Sequence, residues 1–397
     1  MHTTRSQILS LLTRHDGETI PQIAEQLSLS VGTATKYVSS LLQEGLLEDL
    51  GTVESASGRR PHRYTLKAEA ACFMGFDVND RYIRCGLMDF RGRMLRVRTM
   101  SEFCLEEDHA FDALSGLLQE ETRRAAQEGF PVKNLCLAIP GRINSSTGES
   151  FSFFHAQGLP LAKRLDNVLH LPLYLYNDTR AMTYGEFLKG AGAGARNMLM
   201  INVNWGLGMG IIIDSLVYGG KSGYAGEFGH VYGFDNQIIC RCGKRGCNET
   251  EISGQALTRI LLQRIRDGES SILSNRVLSS DEPLSLHEII DAVAREDVSC
   301  IEAIEEIGLR LGEKTAGLIN VFNPDLVVVG GELALAGDYL LDPMDTPLVY
   351  AYSHGTENDT YVTYSNKDSA ADMIRYLLSK GHERIAVIAG HPHSYPT

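Results

Sequence analysis

Three cysteines lie within eight residues, Cys240-Arg241-Cys242-Gly243-Lys244-Arg245-Gly246-Cys247, and His230 precedes the first by ten. Three thiolates and one imidazole complete a tetrahedral zinc site with no position left for water, so the predicted Zn2+ is structural rather than catalytic. The segment must then fold as a short loop around one ion, with its two glycines supplying the tight backbone. The competing reading is three buried, unligated cysteines. The start of the chain, Met1-His2-Thr3-Thr4-Arg5, lacks the basic and apolar regions of a signal peptide. A cytoplasmic setting is therefore expected, where thiols stay reduced and clustered cysteines point to metal before disulfide.

The 397 residues suffice for two or three domains, and no run of about 18 apolar residues predicts a membrane span. A net charge of −13 argues against a protein that coats nucleic acid, but the charge is uneven. Residues 1–67 hold seven Lys and Arg against seven Asp and Glu, so the whole excess of acid lies beyond them. Within that neutral segment the positive charge gathers between Arg59 and Lys67.

Three helices are predicted there. Ile8, Leu9, Leu11 and Leu12 give the first an apolar face. Pro21 suits the first turn of the second, which buries Ile20, Ile23, Ala24 and Leu27. Ser30 is the predicted N-cap of the third, with Val31, Ala34, Val38, Leu41 and Leu42 inward and Thr33, Thr35, Lys36 and Ser39 outward. Short helix, tight turn and second helix predict a helix-turn-helix, and Leu50 to Leu66 a two-stranded wing. Thr33, Thr35 and Lys36 are expected to face double-stranded DNA in the major groove. Arg59 and Arg60, beside Gly58 and Pro61, suit an arm in the minor groove. The domains predicted are 1–68 for this head, 69–344 for a following α/β domain, and 345–397 for a tail. Strand candidates in the α/β domain include Ala71–Val78, Tyr82–Leu87, Met94–Val97, Leu135–Ile139 and Leu326–Val329, with a helix from about His109 to Gln127. A strand-and-loop series is expected over Leu173–Ile213 and mainly helices over Ser253–Asn320.

From about residue 4 to about residue 344 the chain resembles the ROK proteins (repressors, open reading frames and sugar kinases). The Glu227-Phe228-Gly229-His230 and Cys240–Cys247 pair carries most of the likeness. Ala138-Ile139-Pro140-Gly141, Asn177-Asp178, Gly185-Glu186 and Gly206-Leu207-Gly208-Met209-Gly210 add to it. The winged head followed by Gly-Arg-Arg-Pro resembles the family's transcriptional branch. The resemblance implies a two-lobed actin-like ATPase fold with a sugar in the cleft. It assigns Asn177, Asp178, Glu227, His230 and Glu249 to the sugar and shares His230 with zinc. Carboxylates, an amide and an imidazole suit a ring of hydroxyls, since they accept and donate to several at once.

Phosphoryl transfer also needs a backbone cradle for phosphate. Kinases of the family carry Asp followed closely by Gly-Gly-Thr-Lys, whereas this chain reads Asp77-Val78-Asn79-Asp80-Arg81-Tyr82. Bulk and a second carboxylate oppose ATP there, and Asn204-Trp205-Gly206 stands where kinases place Gly-Thr-Gly. The expectation is a regulator without enzymatic activity: a sugar-relieved repressor of carbohydrate genes, acting as a homodimer or homotetramer on operator DNA, the alternative being an ATP-dependent sugar kinase. Beyond about Pro343 the likeness fades. The βαβ run around Leu377–Ala386 resembles a fragment of the effector domain of lactose-repressor-type regulators, from a fusion, or else strands that complete the family's own sheet.

Overall fold

The computed structural model describes residues 3–52, 61–80, 82–101, 103–105, 109–154, 158–279 and 284–344. The chain divides into two compact units, Met1–Asp178 and Thr179–Thr397.

The first unit begins with the predicted head. Helix α1 (Thr4–Arg14) and strand β1 (Glu18–Thr19) lead into α2 (Ile20–Gln26). Thr19 and Gln22 form a reciprocal capping box, with Pro21 in the first turn as expected. In α3 (Val31–Gln43) the Ser30 hydroxyl accepts the Thr33 N–H, as read from the sequence. Strands β2 (Leu47–Thr52) and β3 (His62–Leu66) make the wing, and β1 joins them in the order β1-β3-β2. Ile8, Leu12, Ile23, Ala34, Val38, Leu41, Leu47 and Leu66 form a separate core. Val31 departs from expectation. It was placed inward, yet it is 56% exposed, because it opens the helix where the turn carries it past the edge of that core.

Strands β4 (Cys72–Val78), β5 (Ile83–Asp89) and β6 (Met94–Met100) follow as an antiparallel meander. Helix α4 (Ala110–Gln127) crosses to β7 (Val132–Ile139), which pairs parallel with β4. A small hairpin of β8 (Ile143–Asn144) and β9 (Glu149–Ser150) precedes α5 (Leu161–Leu169) and β10 (Leu173–Asn177), parallel to β7. The sheet order is β10-β7-β4-β5-β6.

The β5–β6 turn seats the head. Phe90 packs against the head's core, its N–H donates to Ala68 O at 3.2 Å, and its ring lies 5.9 Å from that of Phe73. Arg91 Nε donates to Leu66 O at 2.7 Å, and its guanidinium pairs with Glu48 of β2. The Arg91 contacts are partly solvated, so Arg91→Ala is expected to cost about 1 kcal/mol. Hydrogen exchange should show this as faster opening of β2 and β3, with the β4–β7 pairing unchanged.

The second unit contains all of α6 (Asp178–Lys189) except its first residue. This helix interrupts the strand-and-loop series expected over Leu173–Ile213. Its buried positions include Thr179, Arg180, Thr183 and Glu186, so no apolar stripe announces it. Strands β11 (Met198–Val203), β12 (Leu207–Ile213) and β13 (Leu216–Val217) are antiparallel neighbours. The helical stretch is α7 (Gly254–Arg266), α8 (Ser274–Ser279), α9 (Leu286–Ala294) and α10 (Val298–Phe322). Strand β14 (Leu326–Gly330) then runs parallel to β11, giving the order β13-β12-β11-β14, before α11 (Asp338–Leu341). Residues of α7, α9 and α10 share one large core with Leu199, Ile201, Val203, Val327 and Val329. Met182 and Phe187 of α6 pack with Met198, Met200, Ile212 and Val328 in another. Among the described residues no helix is long and apolar enough to cross a membrane.

Candidate metal centre and effector site

A single turn of 3-10 helix, Phe228–His230, follows Glu227, with Phe228 anchored in the second unit's core. A second such turn, Asn248–Thr250, starts after Cys247. Buried Asn248 ties the two together: its N–H donates to Val231 O at 2.9 Å and its amide to Phe228 O at 3.0 Å. The intervening loop is closed by isolated bridges between Tyr232 and Cys247 and between Ile239 and Arg245. At Gly246 (φ +71°) a Cβ would stand 2.3 Å from Phe234 O, so this position admits no other residue without moving the loop.

The loop gathers His230, Cys240, Cys242 and Cys247 so that one donor atom from each lies within 4.8 Å of all the others. Cys240 Sγ is 3.5 Å from His230 Nδ1, and Cys242 Sγ is 3.6 Å from Cys247 Sγ. Thiolates around a tetrahedral zinc with about 2.3 Å bonds sit about 3.8 Å apart, so the donor set fits that ion. Burial pushes the metal-free Cys240 thiol up to about 12 and raises Cys247. Burial also opposes ionisation of Cys242, but hydrogen bonds from the Lys244 backbone and the neighbouring thiols outweigh it and lower its pKa. A dication reverses the burial penalty, because the thiolate it binds is no longer an uncompensated charge.

His230 uses its two ring nitrogens in opposite directions. Nδ1 faces Cys240, while Nε2 lies 3.9 Å from Glu227 Oε2. Glu249 is also held from two sides: Oε2 accepts the Leu207 N–H at 3.1 Å, and Oε1 lies 3.7 Å from Cys240 Sγ. A Cβ at Gly206 would come within 2.9 Å of Oε2, so the glycine leaves room for this carboxylate. Glu227, His230 and Glu249 therefore share one neighbourhood in the second unit. In the first unit, Asn177 ends β10 and Asp178 opens α6. The Asn177 amide donates to Gly141 O at 3.1 Å and to Asp178 Oδ1 at 2.8 Å, so the Pro140-Gly141 turn orients both.

Sequence reasoning passed over Glu251. It accepts from Asn236 at 2.7 Å and pairs with Arg259 and with Arg310, at 2.7 Å, fastening the loop's exit to α7 and α10. No short motif signals it, since Arg310 is 59 residues away.

Asp77 and Val78 end β4, and Asn79 opens the connection to β5. Asn79 N–H donates to Tyr82 O at 2.9 Å, and its amide to the Tyr82 hydroxyl at 2.9 Å. Burial raises the Asp77 carboxyl, with Arg84 pulling the other way. Asn204-Trp205-Gly206 is the β11–β12 turn, and the carbonyls of Asn204 and Trp205 accept the N–H groups of Gly254 and Gln255 at the start of α7.

On α3, Thr35 and Lys36 are exposed, whereas Thr33 is half-buried and its hydroxyl shares a 2.8 Å bond with Ser30 Oγ. Arg59 and Arg60 lie outside the described residues.

A winged head joined to an α/β body that carries a Cys3His cage defines a class of chain, and comparison with known proteins places it. The ROK family model matches residues 73–373, and a winged helix-turn-helix DNA-binding model matches residues 1–48. A putative xylose repressor of Caldicellulosiruptor sp. (strain Rt8B.4) is 28% identical over 344 residues, 85% of this chain and 86% of its own length. The crystal structure of a ROK family transcriptional regulator, a homologue of the E. coli MLC protein, superposes with a TM-score of 0.74 at 26% identity, covering 89% of this chain and 93% of that one. A ROK family glucokinase from Streptomyces griseus, solved with glucose and AMPPNP, gives 0.60 at 27% identity, covering 69% and 87%. The chain belongs to the ROK family. Its α/β body has that family's actin-like kinase fold behind a winged helix-turn-helix head.

The family match also corrects the reading of the tail. It runs to residue 373, well past Pro343, and a lactose-repressor-type fragment at 345–397 is not supported. A short βαβ pattern is common to many α/β folds and does not separate them. That segment lies outside the described residues.

Proposed function

We propose that this protein is a sugar-responsive DNA-binding transcriptional repressor. The observation that carries this reading is the winged head with its exposed recognition helix on a chain whose body is of the ROK family. Thr33, Thr35 and Lys36 approach the major groove, with Arg59 and Arg60 in an adjacent minor groove. Two heads of a homodimer, or of a homotetramer, meet a palindromic operator. The sugar ligands are Asn177, Asp178, Glu227, His230 and Glu249, the set that the likeness to the family assigns. Xylose and glucose are the first candidates, from the names of the repressor relative and of the glucose-bound kinase. His230, Cys240, Cys242 and Cys247 would hold zinc, which when bound supplies a rigid anchor for the loop. His230 then presents Nε2 towards Glu227 while Nδ1 stays with the cage.

The non-enzymatic reading rests on the two turns that serve phosphate in kinases. Asn79 closes the first on itself, and the carbonyls of the second occupy the α7 N–H groups. Asp178 then serves as a sugar ligand.

Repression is relieved only if sugar binds the two conformations of the protein unequally. Operator DNA selected from random duplexes by the full chain should bind at least about five-fold more weakly at saturating xylose or glucose, in fluorescence anisotropy. ATP-dependent sugar phosphorylation that Asp178→Asn abolishes, with no sequence-selective DNA binding, would establish the kinase instead.

A further inference from the structure

We propose that Val31 and Thr35 read thymine 5-methyl groups in the major groove, so that the operator's sequence is recognised partly through apolar contact. This inference rests on the DNA-binding reading above. Val31 was expected inside the head, but the structure turns it out, 56% exposed, at the first position of α3. No described contact of the head's core needs it there. Thr35 lies one helical turn further on the same face and is exposed. Its hydroxyl donates to Val31 O at 2.8 Å, so its hydrogen is spent within the helix and the methyl remains to be offered.

Gly32 stands beside Val31. Glycine is a poor helix former beside alanine. Nothing in the head demands it: its φ is not positive, and a Cβ would meet only Ser30 Oγ, at 4.0 Å. The missing side chain clears space in front of the two methyl-bearing residues, where a base edge can come close. Residues four apart on a helix hold their Cβ atoms about 5–6 Å apart, and stacked bases are about 3.4 Å apart, so the pair spans one to two base steps. Major-groove thymine is marked by its methyl, and apolar side chains are its complement. Exposed Lys36, next along the helix, supplies charge for a phosphate.

The test uses the full chain and operator DNA it selects from random duplexes. Each thymine of the selected site is replaced singly by deoxyuridine, which removes only the methyl. One or two positions in each half-site should then bind about four-fold more weakly, the loss expected for one buried methyl. Val31→Ser should weaken the thymine operator by a similar factor and become indifferent to uracil at one of those positions, and Thr35→Ser at its neighbour. The unmodified chain carries the first arm, so the test does not depend on how the variants fold. Uracil tolerated at every position, or a penalty that Val31→Ser leaves intact, overturns the inference while sugar-sensitive operator binding stands. Failure to enrich any sequence overturns both.

Discussion

Replacing Cys247 by serine is expected to strip the loop of zinc and to abolish the response to sugar. Cys247 is buried, lies 3.6 Å from Cys242, and opens the turn that carries Asn248 and Glu249. Loss of a supporting residue around a metal ligand already costs about 10–100-fold in affinity, and loss of a ligand costs more. Without the ion, nothing holds Cys240 in place beside His230 Nδ1 and Glu249 Oε1. The head has its own core, so sugar-free operator binding should change far less. Metal analysis after dialysis should give about one zinc per unmodified chain and none for the variant. A thermal shift with xylose or glucose should be present in the first and absent in the second. Zinc retained at one per chain in Cys247→Ser would refute the four-ligand cage.

Glu121→Ala should destabilise the first unit clearly. The Glu121 side chain is 2% exposed on α4, and three arginines converge on it. Arg98 pairs with it directly, while Arg96 and Arg124 stand at 3.6 Å. Arg96 and Arg98 come from the same face of β6, so the carboxylate fastens an edge strand to the helix that covers the sheet. Alanine would take the shared counter-charge from all three, while Arg96 keeps Glu128 and Arg124 keeps Glu120, at about 2 kcal/mol. Urea unfolding should show a lower midpoint with an unchanged slope. A second readout comes from Cys85. Burial first, then the Glu121 charge, pushes its thiol up to about 12. Removing the charge should let Cys85 ionise at lower pH and react faster with a thiol reagent, while burial keeps it above an ordinary thiol. An unchanged midpoint would mean that the arginines find solvent at no cost.

The elements that sequence reasoning placed correctly are those governed by local spacing. Ser30 caps α3 because a hydroxyl three residues before an N–H reaches it in any such turn. Pro21 opens α2 because its missing N–H costs nothing there. Cys240, Cys242 and Cys247 meet because the chain turns back between them, with Gly243 N–H on Cys240 O and Cys240 N–H on Lys244 O, and with Gly243 and Gly246 taking positive φ. Helix α6 escaped because four of its five buried positions, Thr179, Arg180, Thr183 and Glu186, are polar, and periodicity sees only apolar faces. Val31 escaped for the opposite reason: its apolar side chain matches the inward pattern but lies one step beyond what the head's core covers.

For this protein the sequence alone determined the head, the α/β body, the Cys3His cluster and the family, because each is written in neighbouring residues or in a short motif. Tertiary structure decided which groups meet across long stretches of chain. It placed Glu249 on the Leu207 N–H, 42 residues away, and Arg310 on Glu251, 59 away. It also seated the head on Phe90 and Arg91. Local spacing tells which way a side chain points along its own element, but not which surface will cover it. That choice is made only when packing repays the entropy of closing the long loops between them.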